Sequence, residues 1–200
     1  MAKLPIAFYD RPDPTVIAKE LIGKVLCTRI DGVLTSGIIV ETEAYRGHND
    51  RASHALKGTP TPRTAVMFGP PGIAYVYLCY GIHHLFNVVT NGPQRADAVL
   101  IRALEPLEGM GTMLKRRSMV KMEPRVTMGP GSLSKAMGID RALNGIPLVD
   151  DQVWIEDPEI MPEYEIVPSA RVGVDYAGED ALLPWRFFVK GNKFVSKPRS

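Results

Sequence analysis

Two carboxylates and a phenol recur at every second position in the stretch Glu41-Thr42-Glu43-Ala44-Tyr45. On a β-strand, whose side chains alternate between faces, Glu41, Glu43 and Tyr45 share one face while Val40, Thr42 and Ala44 take the other. Such a strand either shows its acids to solvent or supplies a base to a reaction site. Arg102 is the natural counterpart. It interrupts the apolar residues Val99-Leu100-Ile101 and Ala103-Leu104, where a guanidinium is costly to bury without a carboxylate or phosphate partner. A glutamate of 41–45 would satisfy it, and two roles fit that pair equally well. One is a structural ion pair in the core; the other holds a charged carboxylate as a base or water-orienting group. Two acids side by side on one strand do not flank a bond from opposite sides, so a carbohydrate hydrolase with paired acids ranks lower.

The aromatic residues gather around the same segments. Tyr45, Tyr75, Tyr77 and Tyr80 are four of the seven tyrosines, and in strands such residues usually pack. Beside an acid and an arginine they would wall a pocket for a flat, electron-poor ring, which describes a nucleobase. His54 lies in the loop after the acidic strand and can fold back onto its face. Asn87, on a strand, is either a satisfied amide or a reader of a base edge. His48, His54, His83 and His84 lack zinc-ligand spacing, and His83 and His84 read as solvated or touching phosphate. Cys27 and Cys79 sit in apolar strand-like runs and read as buried reduced thiols. No metal and no other cofactor is expected.

These side chains need a sheet to hold them. Asp13 caps a helix that starts at Pro14 and carries Val16, Ile17, Leu21 and Ile22, with Gly23 just past its end. Strand 24–30 follows, and Asp31-Gly32 has the composition of a type I′ turn, which makes Val33–Tyr45 the second arm of a hairpin. Residues 46–64 read as a long loop with a short helix at Ser53–Leu56; loops of that length in compact folds usually carry function. Strands are predicted at 73–80, 85–90 and 98–104, joined by a connection at 80–84 and a turn-like stretch at 91–97. Helices are predicted at 109–121 and from a Gly131 or Ser132 cap to Met137, and strands at 153–155, 170–174 and 185–189. A Gly191-Asn192 turn then leads to a last strand at 193–195. The expected class is α+β: one domain over 1–200, mostly an antiparallel curved sheet with peripheral helices.

Composition sets the frame. The 200 residues suffice for one substantial core, and 45% hydrophobic residues with a mean hydropathy of −0.04 match a globular chain. No apolar run approaches membrane-spanning length and the N-terminus lacks a secretory core, so the cytosol is the expected compartment. A net charge of +2 permits a polyanionic partner without requiring one. Seventeen prolines and eighteen glycines announce many connections.

Several blocks together go further. Val40-Glu-Thr-Glu-Ala-Tyr45, Ala52-Ser53-His54, Thr61-Pro62-Arg63, Ala74-Tyr-Val-Tyr-Leu-Cys-Tyr-Gly81, Asn87, Leu100-Ile-Arg-Ala-Leu-Glu-Pro106, Gly129-Pro130-Gly131 and Ala170-Arg-Val-Gly-Val174 with Ala177-Gly178-Glu179 follow in order. In order and approximate spacing they resemble the alkyladenine (3-methyladenine) DNA glycosylase family, in its compact bacterial form, over nearly the whole chain. The resemblance implies that an altered purine is flipped out of duplex DNA and cut from its sugar, leaving an abasic site. It implies Glu43 as the base that activates water, and Arg102 as the residue holding that water and glutamate. Tyr45, His54 and Tyr77 would stack the extruded base, with His54 also offering a hydrogen bond, and Asn87 would reject the amino group of normal guanine. Tyr80 with Ile82 would enter the minor groove as a wedge. Ile82 stands where vertebrate relatives have methionine, and the stretch 92–97 is slightly longer than theirs. The implied partner is double-stranded DNA bearing damaged purines, from methylated purines to hypoxanthine and etheno-adenine, met by a monomer without membrane association. A non-catalytic binder of damaged DNA and a hydrolase of free nucleosides are the rival readings.

Overall fold

The computed structural model describes residues 2–92, 94–159 and 163–196. Among them, β1 (Ala2–Lys3), α1 (Ile6–Tyr9) and α2 (Pro14–Leu21) lead into β2 (Val25–Ile30) and β3 (Val33–Tyr45). After a long loop come β4 (Ala74–Cys79), β5 (His83–Thr90), β6 (Asp97–Glu108), α3 (Met110–Arg117) and α4 (Pro130–Met137). The chain closes with β7 (Val153–Asp157), β8 (Ile166–Ser169) and β9 (Arg186–Val189). All pairings are antiparallel, in the order β1-β7-β2-β3-β6-β5-β4, with β9 joined to β3 and β8 to β9. This is the expected α+β architecture.

Local chemistry explains how the acidic strand is made. Asp13 Oδ1 accepts from the Thr15 N–H at 2.9 Å and starts α2, whose Ile17, Ala18 and Leu21 are fully buried. Asp31 and Gly32 both take positive φ, 53° and 76°, as a type I′ turn demands, and they fold β3 back along β2. Along one edge, β3 pairs first with β2 through Ile38 and then with β9 from Glu41 to Glu43; β6 runs along its other edge. The β3–β6 ladder is irregular at one place. Ile39 faces Leu104, Glu41 faces Ala103 and Thr42 faces Ile101, so Val40 and Arg102 fall outside the pairing. A ladder irregularity of this kind re-aims side chains.

Several expectations differ from what is observed. Both faces of β3 are buried, because the Arg102 and Arg186 side chains, Ser196 and the segment around Val172 close over Glu41 and Glu43. Residues 53–56 form turns, not a helix, and β5 begins at His83, so the hairpin connection shrinks to Tyr80-Gly81-Ile82. Pro93, within the stretch read as turn-like, lies outside the described residues. α3 stops at Arg117, where Ser118 adopts φ 53°, rather than at Lys121. α4 starts two or three residues earlier than its expected cap, with Gly129 in the N-cap position and Pro130 in the first turn. Ala170–Val174 is a loop, and the neighbouring strand is Ile166–Ser169. Residues 193–195 make a turn, since Asn192 Oδ1 accepts from the Phe194 N–H and closes the chain locally. Cys27 is buried, but Cys79 is only half-buried at the strand end.

Candidate active site

Glu43 has no exposed surface, and three donors converge on its carboxylate. The Tyr45 hydroxyl donates to Oε2 at 2.8 Å, Arg102 Nη1 donates to Oε2 at 3.2 Å, and the Val172 N–H donates to Oε1 at 2.7 Å. Glu41, two residues earlier, is equally buried but differently employed. Its Oε1 takes Arg102 Nε at 2.8 Å, Arg186 Nε at 2.7 Å and the Ser196 hydroxyl at 2.7 Å; its Oε2 takes the Ser196 N–H at 2.7 Å. Burial alone would raise the Glu41 carboxyl, yet the Arg102 and Arg186 charges outweigh it and hold the group below the usual carboxylate range. One guanidinium thus bridges both acids. Burial works against its charge as well, and Glu43 and Glu41 overcome that and hold Arg102 protonated.

Above this floor opens a cavity of about 800 Å³, lined by Tyr45, His54, Tyr77, Asn87 and Arg102 among others. That volume suits one small planar ligand with room to enter. His54 stands edge-on to Tyr77, ring centres 4.6 Å apart, and Tyr75 lies 5.4 Å behind Tyr77. Burial and the neighbouring Glu43 carboxylate push the Tyr45 phenol upward, so it donates rather than ionises. Arg63 Nη2 lies 3.1 Å from His54 Nε2, and Tyr75 Oη 3.1 Å from Nδ1. A guanidinium only donates, so Nε2 accepts and the ring proton is assigned to Nδ1, directed at Tyr75. The pocket wall and, second, the Arg63 charge lower His54 to about 4, although the ring still has an open side toward the cavity. Asn87 donates its amide hydrogens to the Tyr75 and Leu85 carbonyls at 3.1 and 3.4 Å, which fixes its orientation at the cavity wall.

The rim is unusually apolar. Tyr80 and Ile82 project from the β4–β5 hairpin with 90% and 73% of their surfaces exposed. Tyr80 holds φ at 50°, a conformation that costs a side-chain-bearing residue about 1 kcal/mol. Across the mouth, Gly131 lies so close to His83 that a Cβ there would meet the imidazole at 2.8 Å, which accounts for glycine in the Gly129-Pro130-Gly131 block.

All eight side chains singled out from the sequence therefore belong to one neighbourhood: Glu43 and Arg102 at its base, Tyr45, His54, Tyr77 and Asn87 on its walls, Tyr80 and Ile82 at its lip. Others were missed. Arg171 grips Asp50 through two hydrogen bonds of 2.7 and 2.8 Å, and its guanidinium lies 4.7 Å from the Tyr45 ring centre and 5.0 Å from that of Trp185. Asp50 in turn accepts from the Arg46 and Ala52 N–H groups, and so pins the long loop that delivers His54. Arg186, Ser196 and Val172 complete the floor from the far end of the chain. Only Arg171 and Val172 carried a sequence signal, through the Ala170–Val174 block. Among the described residues no group of three His, Cys, Asp or Glu side chains could hold a metal, and no helix is long and apolar enough to cross a membrane.

Known proteins resemble this chain along nearly its whole length. The family model described as methylpurine-DNA glycosylase (MPG) matches residues 7–193. A protein of Clostridium acetobutylicum is 46% identical over 201 residues, covering 97% of this chain and 97% of its own. One from Bacillus cereus (strain G9842) is 44% identical over 202 residues, covering 96% and 98%. One from Methanocella arvoryzae is 48% identical over 198 residues, covering 98% and 97%. All three bear the name "Putative 3-methyladenine DNA glycosylase". With relatives this similar along almost their entire length, and a family model spanning nearly every residue of the pocket, this chain belongs to the methylpurine-DNA glycosylase family.

Proposed function

We propose that the chain excises alkylated or deaminated purines from double-stranded DNA, hydrolysing the N-glycosidic bond with water that Glu43 activates. The observation that carries this is the position of Glu43: an acid with no solvent of its own, set beneath an aromatic pocket and surrounded by donors. A binder without turnover has no use for a second buried carboxylate there, where it would repel phosphates. In the proposed reaction the damaged nucleotide leaves the stack, and Tyr80 with Ile82 fills the gap, which needs the exposed apolar lip that the hairpin supplies. The base enters between Tyr45 and the Tyr77–His54 wall, with Asn87 opposite its edge. The Tyr45 hydroxyl then yields its place on Glu43 Oε2 to a water. That water attacks C1′ while its proton passes to Glu43, and the purine departs with the bonding pair.

Charge favours the damaged base at two stages. An alkylated purine is cationic, so it leaves easily and is drawn to tyrosine faces by about 0.5–2 kcal/mol per contact. Extrusion is also least costly for damaged or mispaired nucleotides, so selection begins before the pocket is reached. A neutral His54 adds no charge of its own to a pocket that must admit a cationic base. Residues 1–200 act as one glycosylase domain, monomeric and cytosolic. Measuring base release from a panel of duplexes carrying methylated purines, hypoxanthine or etheno-adenine tests the proposal. Tight lesion binding with no release from any of them would make the protein a binder, and faster release from free methylated nucleosides would make it a nucleoside hydrolase.

A further inference from the structure

Arg63 reaches into the pocket from the loop between β3 and β4, and the chemistry above gives it no task. Its guanidinium carbon lies 5.0 Å from the centre of the Tyr77 ring, and its Nη2 is 3.1 Å from His54 Nε2. Among the described residues no carboxylate pairs with it, in contrast to Arg102, Arg171 and Arg186, each of which is held by a buried acid. A guanidinium keeps its charge under all ordinary conditions and offers a planar fork of donors suited to phosphate. Here that fork has a neutral imidazole, the Tyr75 hydroxyl and a ring face as company, and no anion. Thr61, Pro62 and Arg63 are all exposed, so the side chain can leave the pocket without disturbing the core.

Its present position conflicts with the base. Arg63 and an incoming purine compete for Tyr77 and for the edge of His54, and a cationic purine is in addition repelled by it. We propose that Arg63 holds the place of the base in the free protein and, once a purine displaces it from Tyr77 and His54, carries its charge to a phosphate flanking the extruded nucleotide. The inference rests on the base-flipping reading above. It couples filling of the pocket to grip on the backbone: an extruded nucleotide that fails to fill the pocket leaves Arg63 where it is and does not gain the phosphate contact.

Two duplexes separate this from a static role, one carrying etheno-adenine and one carrying a tetrahydrofuran abasic analogue at the same position. Both present a flipped sugar, but only the first has a base to displace Arg63. Arg63→Ala should weaken binding of the etheno-adenine duplex about tenfold and reduce its log–log salt slope by about 0.9, the contribution of one phosphate. Affinity for the abasic analogue should stay within twofold, and Arg63→Lys should keep the salt slope on both. Equal weakening on the two duplexes, or an unchanged slope on the etheno-adenine duplex, overturns the proposal while leaving base flipping intact. If the wild-type protein binds neither duplex more tightly than undamaged DNA, base flipping itself fails and Arg63 with it. The melting temperature of Arg63→Ala, expected to equal that of wild type, shows that the fold is not the cause.

Discussion

Replacing Glu43 by glutamine removes the proposed base while keeping its shape, and the three donors around it determine the side effects. Glutamine presents one acceptor and one NH₂ group where the carboxylate presents two acceptors. The Val172 N–H at 2.7 Å can only donate, so the amide oxygen must occupy the Oε1 position. The NH₂ group then faces Tyr45 Oη, which can rotate and accept, and Arg102 Nη1 at 3.2 Å, which cannot. One charge-assisted hydrogen bond is lost, worth about 2 kcal/mol. Arg102 keeps its 2.8 Å bond to Glu41, so the fold survives. For a chain of this size the melting temperature should fall by about 4–8 °C, at about 2–4 °C per kcal/mol. Single-turnover base release, measured at saturating protein and well below that temperature, should drop by about 10²–10⁴. Affinity for the same lesion duplex should be retained or improved, because a negative charge has been removed. Release within tenfold of wild type, with binding intact, would refute the role given to Glu43.

Three further outcomes follow from the geometry. Tyr80→Gly relieves the φ of 50° and should raise stability by up to about 1 kcal/mol, yet weaken lesion affinity; equal lesion affinity removes the wedge role. Arg186→Met breaks a buried pair with Glu41 without touching Glu43 and should cost about 3 kcal/mol, a fall of about 6–12 °C in melting temperature, with base release at lower temperature within threefold of wild type. His54 should titrate near pH 4 by NMR, against an ordinary value of 6.5. Its folded form binds fewer protons than the unfolded chain within that window, so its contribution to stability is present above pH 6.5 and is lost as the pH falls toward 4; thermal melts of wild type and His54→Gln should diverge only there.

How much of this was visible in the residues depends on distance along the chain. The hairpin that makes β3 was legible because Asp31-Gly32 states its turn locally, and α2 because Asp13 caps it locally. Arg102 stood out as a charge in an apolar run, but its sharing between Glu41 and Glu43 depends on the register irregularity that frees it from the ladder. A core ion pair with Arg102 was one reading for a single glutamate, but the burial of both was not legible. Their covers, Val172, Arg186 and Ser196, come from 129 to 155 residues away, and nothing near them in sequence announces that role. The segment 170–174 shows why pattern misleads here: its apolar, β-branched residues read as a strand. Its polar groups are spent on the site instead, the Val172 N–H on Glu43 and the Arg171 guanidinium on Asp50, while Gly173 turns the chain at φ 75°.

The two halves of the floor are made at opposite ends of synthesis. Glu41 and Glu43 leave the ribosome early and meet Tyr45, β6 and Arg102 first, whereas Val172, Arg186 and Ser196 arrive last. A domain folds as a unit, so the floor is complete only once these last residues have emerged, with Arg102 until then the one guanidinium available to both acids. A chain cut short before β9 would lack Arg186 and Ser196, and Glu41 would keep only Arg102 of its partners while Glu43 kept all three of its donors. The order of the floor around Glu41 is therefore tied to the completion of the chain.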